Sequence, residues 1–261
     1  MTEITSFIPS KRQKAILDMV ASDGFVATEA MVTEFDVTPQ TVRRDLNELN
    51  EKGLLTRFHG GAGQPRSVEN QPYFERLNSD VIAKRNIGKL AASLIPNGAS
   101  LFINIGTTTE CVAKALVNHK NLHVVTNNIN VAQILSKNPT MRIMLAGGEV
   151  RNHDGGIVGA SSVDFVNEFR LDFGVIGISG IDDEGNLLDF DHQEVKTARA
   201  ILKNSRKSIL VTDQSKFGRA AMNRMAHMAD LDALVTDKDL TGHFKNICDV
   251  ADVNVHIASN I

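Results

Sequence analysis

Thr38-Pro39-Gln40-Thr41-Val42-Arg43-Arg44-Asp45-Leu46-Asn47 decides how the first quarter of this chain is read. Thr38 is a good helix cap, and Pro39 takes the first helical position, where its missing N–H is not needed. Val42, Leu46 and Leu49 then fall at i, i+4 and i+7, one apolar stripe of a short helix. At about 100° per residue, Gln40, Arg43, Arg44 and Asn47 gather on the opposite face. Glutamine, two arginines and asparagine on one free face suit base edges and phosphates in a DNA major groove. A solvated charged face has the same composition, so what flanks the helix has to decide.

Upstream, Ser10 and Gln13 form a potential capping box, and Ala15, Ile16, Met19 and Val20 trace a helical stripe ending near Gly24. Residues 25–27 read as a short extended piece. Thr28 can cap a second helix with Met31, Val32 and Phe35 facing inward, and Asp36-Val37 makes a tight turn. Downstream, the helix stops near Gly53. Residues 54–58 read as a strand, and His59-Gly60-Gly61-Ala62-Gly63 as a turn. Helix, helix, turn, helix and a β hairpin make a winged helix-turn-helix, with Arg57 on the wing in reach of backbone phosphates. The expected contacts to double-stranded operator DNA are Thr38, Gln40, Thr41, Arg43, Arg44, Asn47 and Arg57. Asp45, at the apolar edge, is expected to orient a neighbouring arginine instead.

The chain has 261 residues, 42% hydrophobic and 23% charged, enough for two globular units with ordinary cores. It has no run of eighteen apolar residues and no signal-peptide pattern, so a cytoplasmic protein without a membrane partner is expected. Cys111 and Cys248 have neither metal-ligand nor disulfide spacing, and neither a metal nor a cofactor is expected. Net charge is −3, and residues 1–60 carry seven basic against nine acidic side chains. The electrostatic case for DNA therefore rests on where charges sit, not on their sum.

Residues 1–63 are thus expected to form the DNA-binding unit, and 64–80, polar with Pro65 and Pro72, the linker. Tyr73 and Phe74 are its candidate anchors. From residue 81 the texture alternates. Ile82, Ile87, Leu90, Ala91 and Leu94 trace a helix, and apolar strands follow at 101–105, 122–126, 142–146, 173–179, 207–212, 231–236 and 253–257. Repeated βα units with near-continuous apolar strands imply a mainly parallel, three-layer α/β domain over 81–261.

Ligands of open parallel sheets bind beyond the carboxyl ends of strands. Gly106-Thr107-Thr108-Thr109 leaves one strand and opens a helix, giving a bend, hydroxyls and free N–H groups suited to a phosphate. A capping threonine cluster would look the same. It is neither a Walker loop nor a dinucleotide fingerprint. Thr126-Asn127-Asn128, Gly147-Gly148, Ser179-Gly180-Ile181-Asp182 and Asp213-Gln214-Ser215-Lys216-Phe217-Gly218 end four other strands, and Lys216 can meet an anion. Arg151, His153 and His192 are further polar candidates.

Arg12, Ile16 and Val20, followed by Thr38-x-x-Thr41-Val42-Arg43-Arg44-Asp45-Leu46 and His59-Gly60-Gly61-Ala62, resemble the signature of the DeoR family of bacterial transcriptional repressors. The strand-end motifs, in this order, resemble that family's sensor domain, whose fold is similar to ribose-5-phosphate isomerase. The resemblance implies a sugar or polyol phosphate effector, with phosphate at Gly106 to Thr109 and the sugar near Asn104, Gly180, Asp182 and Lys216. It also implies a homo-oligomer, a tetramer above all. Asn104 stands where the family commonly has Asp. Ser179 replaces one acid of the isomerases' Asp-Gly-Ala-Asp motif, so an isomerase with an accessory winged helix is the weaker alternative. Leu101-Phe102-Ile103, residues 170–174, 177–182 and Asp189-Phe190-Asp191 are similar to the branch of the family that answers to glycerol 3-phosphate.

Overall fold

The computed structural model describes residues 7–58, 60–63, 65, 70–240 and 242–259; the expectations for His59, Gln64 and Arg66 lie outside them. Helix α1 (Lys11–Asp23) opens with a closed capping box: the Gln13 amide donates to Ser10 Oγ, and the Ser10 amide to Gln13 Oε1. Helix α2 (Thr28–Phe35) starts at its expected cap residue, so the cap position falls one residue earlier, on Ala27, with no side-chain bond there. Helix α3 (Pro39–Glu51) has Thr38 as its cap, the hydroxyl accepting from the Thr41 amide at 3.3 Å. Ile16, Val20, Met31, Val42, Leu46 and Leu49 make the shared core of the three helices.

Strands β1 (Phe25–Ala27), β2 (Thr56–Phe58) and β3 (Gly61–Gly63) form an antiparallel sheet in the order β1-β3-β2. Residues 61–63 are therefore a strand, not the turn their composition implied. The glycines serve close approach of backbones. A Cβ on Gly61 would strike the Val26 carbonyl oxygen, and one on Gly63 would lie 2.6 Å from the Gly218 carbonyl oxygen.

The connection to the second unit is also more ordered than its polar sequence implied. It contains helix α4 (Tyr73–Asn78), followed by α5 (Val81–Ser93). The buried Lys84 ammonium donates to the Ser79 carbonyl at 2.9 Å and to the Arg76 carbonyl, satisfying backbone groups that the end of α4 leaves free. Tyr73 anchors the segment through its hydroxyl, which donates to the Glu110 carboxylate, whereas Phe74 stays 74% exposed. Ile82, expected to face inward, is also exposed: it lies in the first turn of α5, ahead of the stretch from Ile87 to Ala92 that packs on the core.

In chain order there follow β4 (Ser100–Ile103), α6 (Thr107–Leu116), β5 (His123–Thr126), α7 (Ile129–Leu135), β6 (Arg142–Leu145), β7 (Glu149–Val150) and β8 (Ile157–Val158). Next come α8 (Ala160–Asn167), β9 (Leu171–Ile176), β10 (Gly180–Ile181), β11 (Asn186–Asp189), α9 (His192–Lys203) and β12 (Ser205–Val211). The chain continues through β13 (Asn223–His227), β14 (Ala233–Thr236), α10 (Gly242–Val250) and β15 (Asn254–Ile257). Seven strands form one parallel sheet, β15-β14-β12-β9-β4-β5-β6. Helices α5, α6 and α7 cover one face, and α8, α9 and α10 the other, giving the three layers expected. Strand order reverses between β4 and β9, and that crevice is where an open α/β sheet takes a ligand. A small antiparallel sheet β10-β11-β13 lies beside it.

The two units touch through the 3-10 turn Gln214–Lys216, which follows β12. Phe25 of β1 meets Phe244 of α10 edge-on at 4.9 Å, and Phe244 meets Phe217 at 5.1 Å. Gly24, at φ +73°, lies so close that a Cβ there would sit 2.5 Å from the Gln214 carbonyl oxygen and the Ser215 Cα. The Lys238 ammonium adds an ion pair to Asp23 at 2.7 Å. Among the described residues no helix is long and apolar enough to cross a membrane.

Candidate functional site

Burial of Val42, Leu46 and Leu49 fixes how α3 is rolled on its neighbours, and Gln40, Arg43, Arg44 and Asn47 are accordingly exposed. These side chains, with Thr38 and Arg57, line an open groove along the helix. The wing is tied to the same face: Arg57 Nη1 donates to Asn47 Oδ1 at 2.6 Å, and the Arg57 amide to Asn50 Oδ1 at 3.0 Å. Thr41 is half-buried, its hydroxyl 2.9 Å from that of Thr38. Asp45 is buried and accepts from Arg12 Nε at 2.5 Å, a hydrogen bond that keeps the Arg12 guanidinium firmly charged. The arginine that Asp45 orients is thus on α1, and the two on α3 stay free to reach outward.

The second site lies at the strand-order reversal. A cavity of about 30 Å³ is bounded by Gly106, Thr107 and Thr108 at the start of α6, by Gly177, Ile178 and Ser179 after β9, and by Lys216 and Arg219. Helix α6 has no side-chain cap, and the N–H groups of its first turn have no partner within the helix. Opposite stands Lys216, 9% exposed, with no side-chain hydrogen bond among the described residues. Burial lowers its ammonium to about 8; Asp213 opposes the fall, while Arg219, Lys84 and Arg76 deepen it. Arg219 is lowered too, by burial and then by Arg76. The carboxyls of Asp189 and Glu194, on the same wall, are pushed upward by burial. Two cations without an ion pair among the described residues, beside an Asp189 carboxyl that burial keeps from ionising, make this cavity a host for an anion carrying hydrogen-bonding groups.

The expected effector residues divide. Gly106, Thr107, Thr108 and Lys216 meet at the cavity. Thr109 is fully buried, its hydroxyl 2.8 Å from the Asn104 and Gly106 carbonyl oxygens, where it closes the turn. Asn104 and Asn127 are buried without lining the cavity, each with a side-chain oxygen that lacks a partner. Arg151 belongs to a neighbouring cavity of about 430 Å³ and is held by Asp154 at 2.6 Å, Asp191 at 2.6 Å and Glu194 at 2.8 Å. Burial would discharge it, and those carboxylates keep it charged. His153 and His192 also border that outer cavity. Gly180 is packed against the Arg219 backbone, and the Asp182 carboxylate accepts from the Glu184 and Asn186 amides, so it shapes the β10–β11 turn instead of the cavity.

Asn70, Arg76, Asp189, Glu194 and Arg219 line the inner cavity without having been expected there. Arg219 follows Lys216 by three residues across a tight turn at Phe217-Gly218, closed by the Arg219 amide on the Lys216 carbonyl at 3.4 Å. Asn70 and Arg76 carry no local signal, because only the fold lays the connecting segment over the sheet.

Residues 12–68 match the DeoR-like helix-turn-helix domain, and residues 79–238 match the DeoR C terminal sensor domain. The chain belongs to the DeoR family. It is 52% identical over 228 residues to the glycerol-3-phosphate regulon repressor of Escherichia coli, covering 87% of this chain and 90% of that one. Identity to the glycerol-3-phosphate regulon repressor of Haemophilus influenzae is 49% over 227 residues, with 87% and 89% covered. Among solved structures, ribose 5-phosphate isomerase A from Methanocaldococcus jannaschii overlaps at a TM-score of 0.40 and 12% identity, over 53% of this chain and 55% of that one. This DeoR-family protein, a helix-turn-helix joined to a sensor domain with repressors as its relatives, is a DNA-binding transcriptional repressor that answers to an effector and not an enzyme.

Proposed function

We propose that this repressor is released from its operator by glycerol 3-phosphate bound at the cavity between β4 and β9. The observation that carries the reading is the buried Lys216 ammonium, without a hydrogen-bond partner among the described residues, facing the open first turn of α6 across a space lined by Thr107 and Thr108. A phosphate there would accept from the helix N–H groups and from Lys216, while the Asp189 carboxyl, raised by burial, offers a partner to hydroxyls. The names of the relatives favour glycerol 3-phosphate over other phosphorylated polyols and sugars.

The same turn supports a route to the DNA-binding unit. Lys216 faces the cavity, while Gln214, Ser215, Phe217 and Gly218 face Gly24, Phe25 and Phe244. A ligand that draws Lys216 inward therefore moves the seat of β1. At the DNA, Gln40, Arg43, Arg44 and Asn47 read the major groove, and Arg57 holds the wing at the phosphate backbone. With one recognition helix per chain, a symmetric homo-oligomer reads repeated half-sites, and a tetramer through the second domain is the arrangement proposed. Exposed Phe74 and Ile82 offer apolar surface for it.

The deciding experiment is operator binding at fixed salt, titrated with glycerol 3-phosphate, glycerol and a panel of sugar phosphates. Release by glycerol 3-phosphate alone at submillimolar concentration is expected. Release by another phosphate, with glycerol 3-phosphate inert, rules out the effector named here.

A further inference from the structure

The connecting segment is the least expected part of the effector cavity. Asn70 and Arg76, which precede the sensor domain, line its inner space, and both also line the larger outer cavity. They stand, with Asp189 and Glu194, in the wall between the two. Asn70 spans that wall: its Nδ2 donates to Ser179 Oγ at 3.1 Å, and its Oδ1 accepts from Arg219 Nη2 at 3.1 Å. Arg76 is held only loosely. Its Nε donates to the Gln71 carbonyl at 3.1 Å, and its nearest carboxylate, Asp154, is 3.8 Å away. The backbone beneath it is fixed from two sides, by Tyr73 on Glu110 of α6 and by Lys84 under the end of α4.

We infer that the segment joining the two domains supplies part of the effector site, with Arg76 closing on the ligand's phosphate as a third cation beside Lys216 and Arg219. This rests on the cavity being the effector site, as proposed above. Volume demands a shift of the wall: about 30 Å³ has room for about two water molecules, far less than a phosphorylated triol needs. Of the parts of that wall, the sheet, the strand-end loops, α6, α9 and the Lys216 turn all belong to the sensor domain's core, whereas the segment holding Asn70 and Arg76 is laid over it from outside. A phosphate oxygen is a stronger acceptor for Arg219 than the Asn70 amide oxygen, so it displaces that amide. Arg76, whose Nη groups make no hydrogen bond among the described residues and only a 3.8 Å ion pair with Asp154, has the donors to follow the ligand in. Because α4 lies in the chain between the wing and α5, the ligand then grips the connection between reader and sensor.

The test uses calorimetry on the full-length protein with glycerol 3-phosphate, inorganic phosphate and glycerol, for wild type, Arg76→Gln and Arg76→Lys. Expected are at least tenfold weaker glycerol 3-phosphate binding by Arg76→Gln, partial recovery by Arg76→Lys, no binding of glycerol, and an unchanged unfolding midpoint without ligand. Arg76→Gln binding as tightly as wild type overturns the inference. Should wild type bind a different sugar phosphate and not glycerol 3-phosphate, the effector identity falls, and the same three proteins with that ligand still decide the role of Arg76. Should wild type bind no phosphate at all, both fall. Hydrogen exchange on wild type alone covers the case in which Arg76→Gln folds poorly. Amides of residues 73–80 should exchange more slowly with ligand present, and unchanged exchange there overturns the inference as well.

Discussion

Replacing Lys216 by methionine tests the cavity most sharply, because stability and binding should move in opposite directions. The lysine's ordinary value of 10.5 falls to about 8 on burial, a difference of about 3 kcal/mol against the charged form. That penalty acts in full below about pH 8, where the folded protein must keep the ammonium charged, and fades as pH rises from 8 toward 10.5. Methionine keeps the apolar stem and removes the charge, so Lys216→Met should melt at or above the wild-type temperature at pH 7, with the advantage shrinking by pH 10. Binding should suffer. Losing a charge-assisted hydrogen bond to phosphate costs about 1.5–3 kcal/mol, or roughly ten- to a hundredfold in glycerol 3-phosphate affinity. In wild type the ligand favours the protonated ammonium, so affinity should fall about tenfold per pH unit once pH exceeds 8, with proton uptake visible in calorimetry across buffers. The charged neighbours Asp213, Arg219, Lys84 and Arg76 already act on that group, and any pH dependence left in Lys216→Met belongs to Asp189, Glu194 and the ligand's phosphate, whose second ionisation lies at about pH 6. Wild-type affinity in the variant, or the same pH profile in both proteins, would refute the argument.

At the other end of the molecule, Arg43→Ala and Arg44→Ala should each lose specific operator binding by about 1–3 kcal/mol with no change in melting, since neither side chain enters the core; near-wild-type gel-shift affinity for both would remove α3 as the reader. Gly24→Ala, which forces a Cβ to 2.5 Å from the Gln214 carbonyl, should leave operator and effector affinities near normal while weakening effector-driven release. Full release by that variant, seen by fluorescence anisotropy, would show that the Gly24 contact does not transmit. Light scattering at operator-binding concentrations should give a tetramer, or at least a dimer; a monomer contradicts the half-site argument.

What was legible in the sequence follows from which forces act locally. The caps at Ser10 and Thr38, the stripe of Val42, Leu46 and Leu49, and the seven apolar strands all record periodicity or hydrogen bonding within a few residues. The strands β10 and β11 have two and four residues and leave no period to detect. Gly61 and Gly63 look like turn residues because close backbone approach selects the same amino acid that turns do. In the cavity, Gly106, Thr107, Thr108 and Lys216 were legible because strand ends announce themselves. Asp182 was misleading for the same reason: a carboxylate after a strand also suits a hairpin, and here it holds the Glu184 and Asn186 amides. Arg76 and Asn70 belong to a segment whose sequence is merely polar, and their place over the sheet is a property of the assembled fold.

Coupling between the sites has a definite energetic requirement. A ligand shifts an equilibrium only by its unequal affinity for the two states, and tenfold release needs about 1.4 kcal/mol of that inequality. The structure supplies two elements able to hold it. One is the turn of Lys216, whose outer side seats Gly24 and Phe25; the other is the segment of Asn70 and Arg76, whose inner side walls the cavity. In the arrangement described, Asn70 occupies Arg219 and the cavity takes little more than water, so this conformation binds a phosphorylated triol poorly. A conformation with the wall displaced binds it well, and nearly all of the ligand's binding energy then counts toward the shift. Reciprocity follows from the same cycle: whatever factor the effector removes from operator affinity, operator DNA must remove from effector affinity.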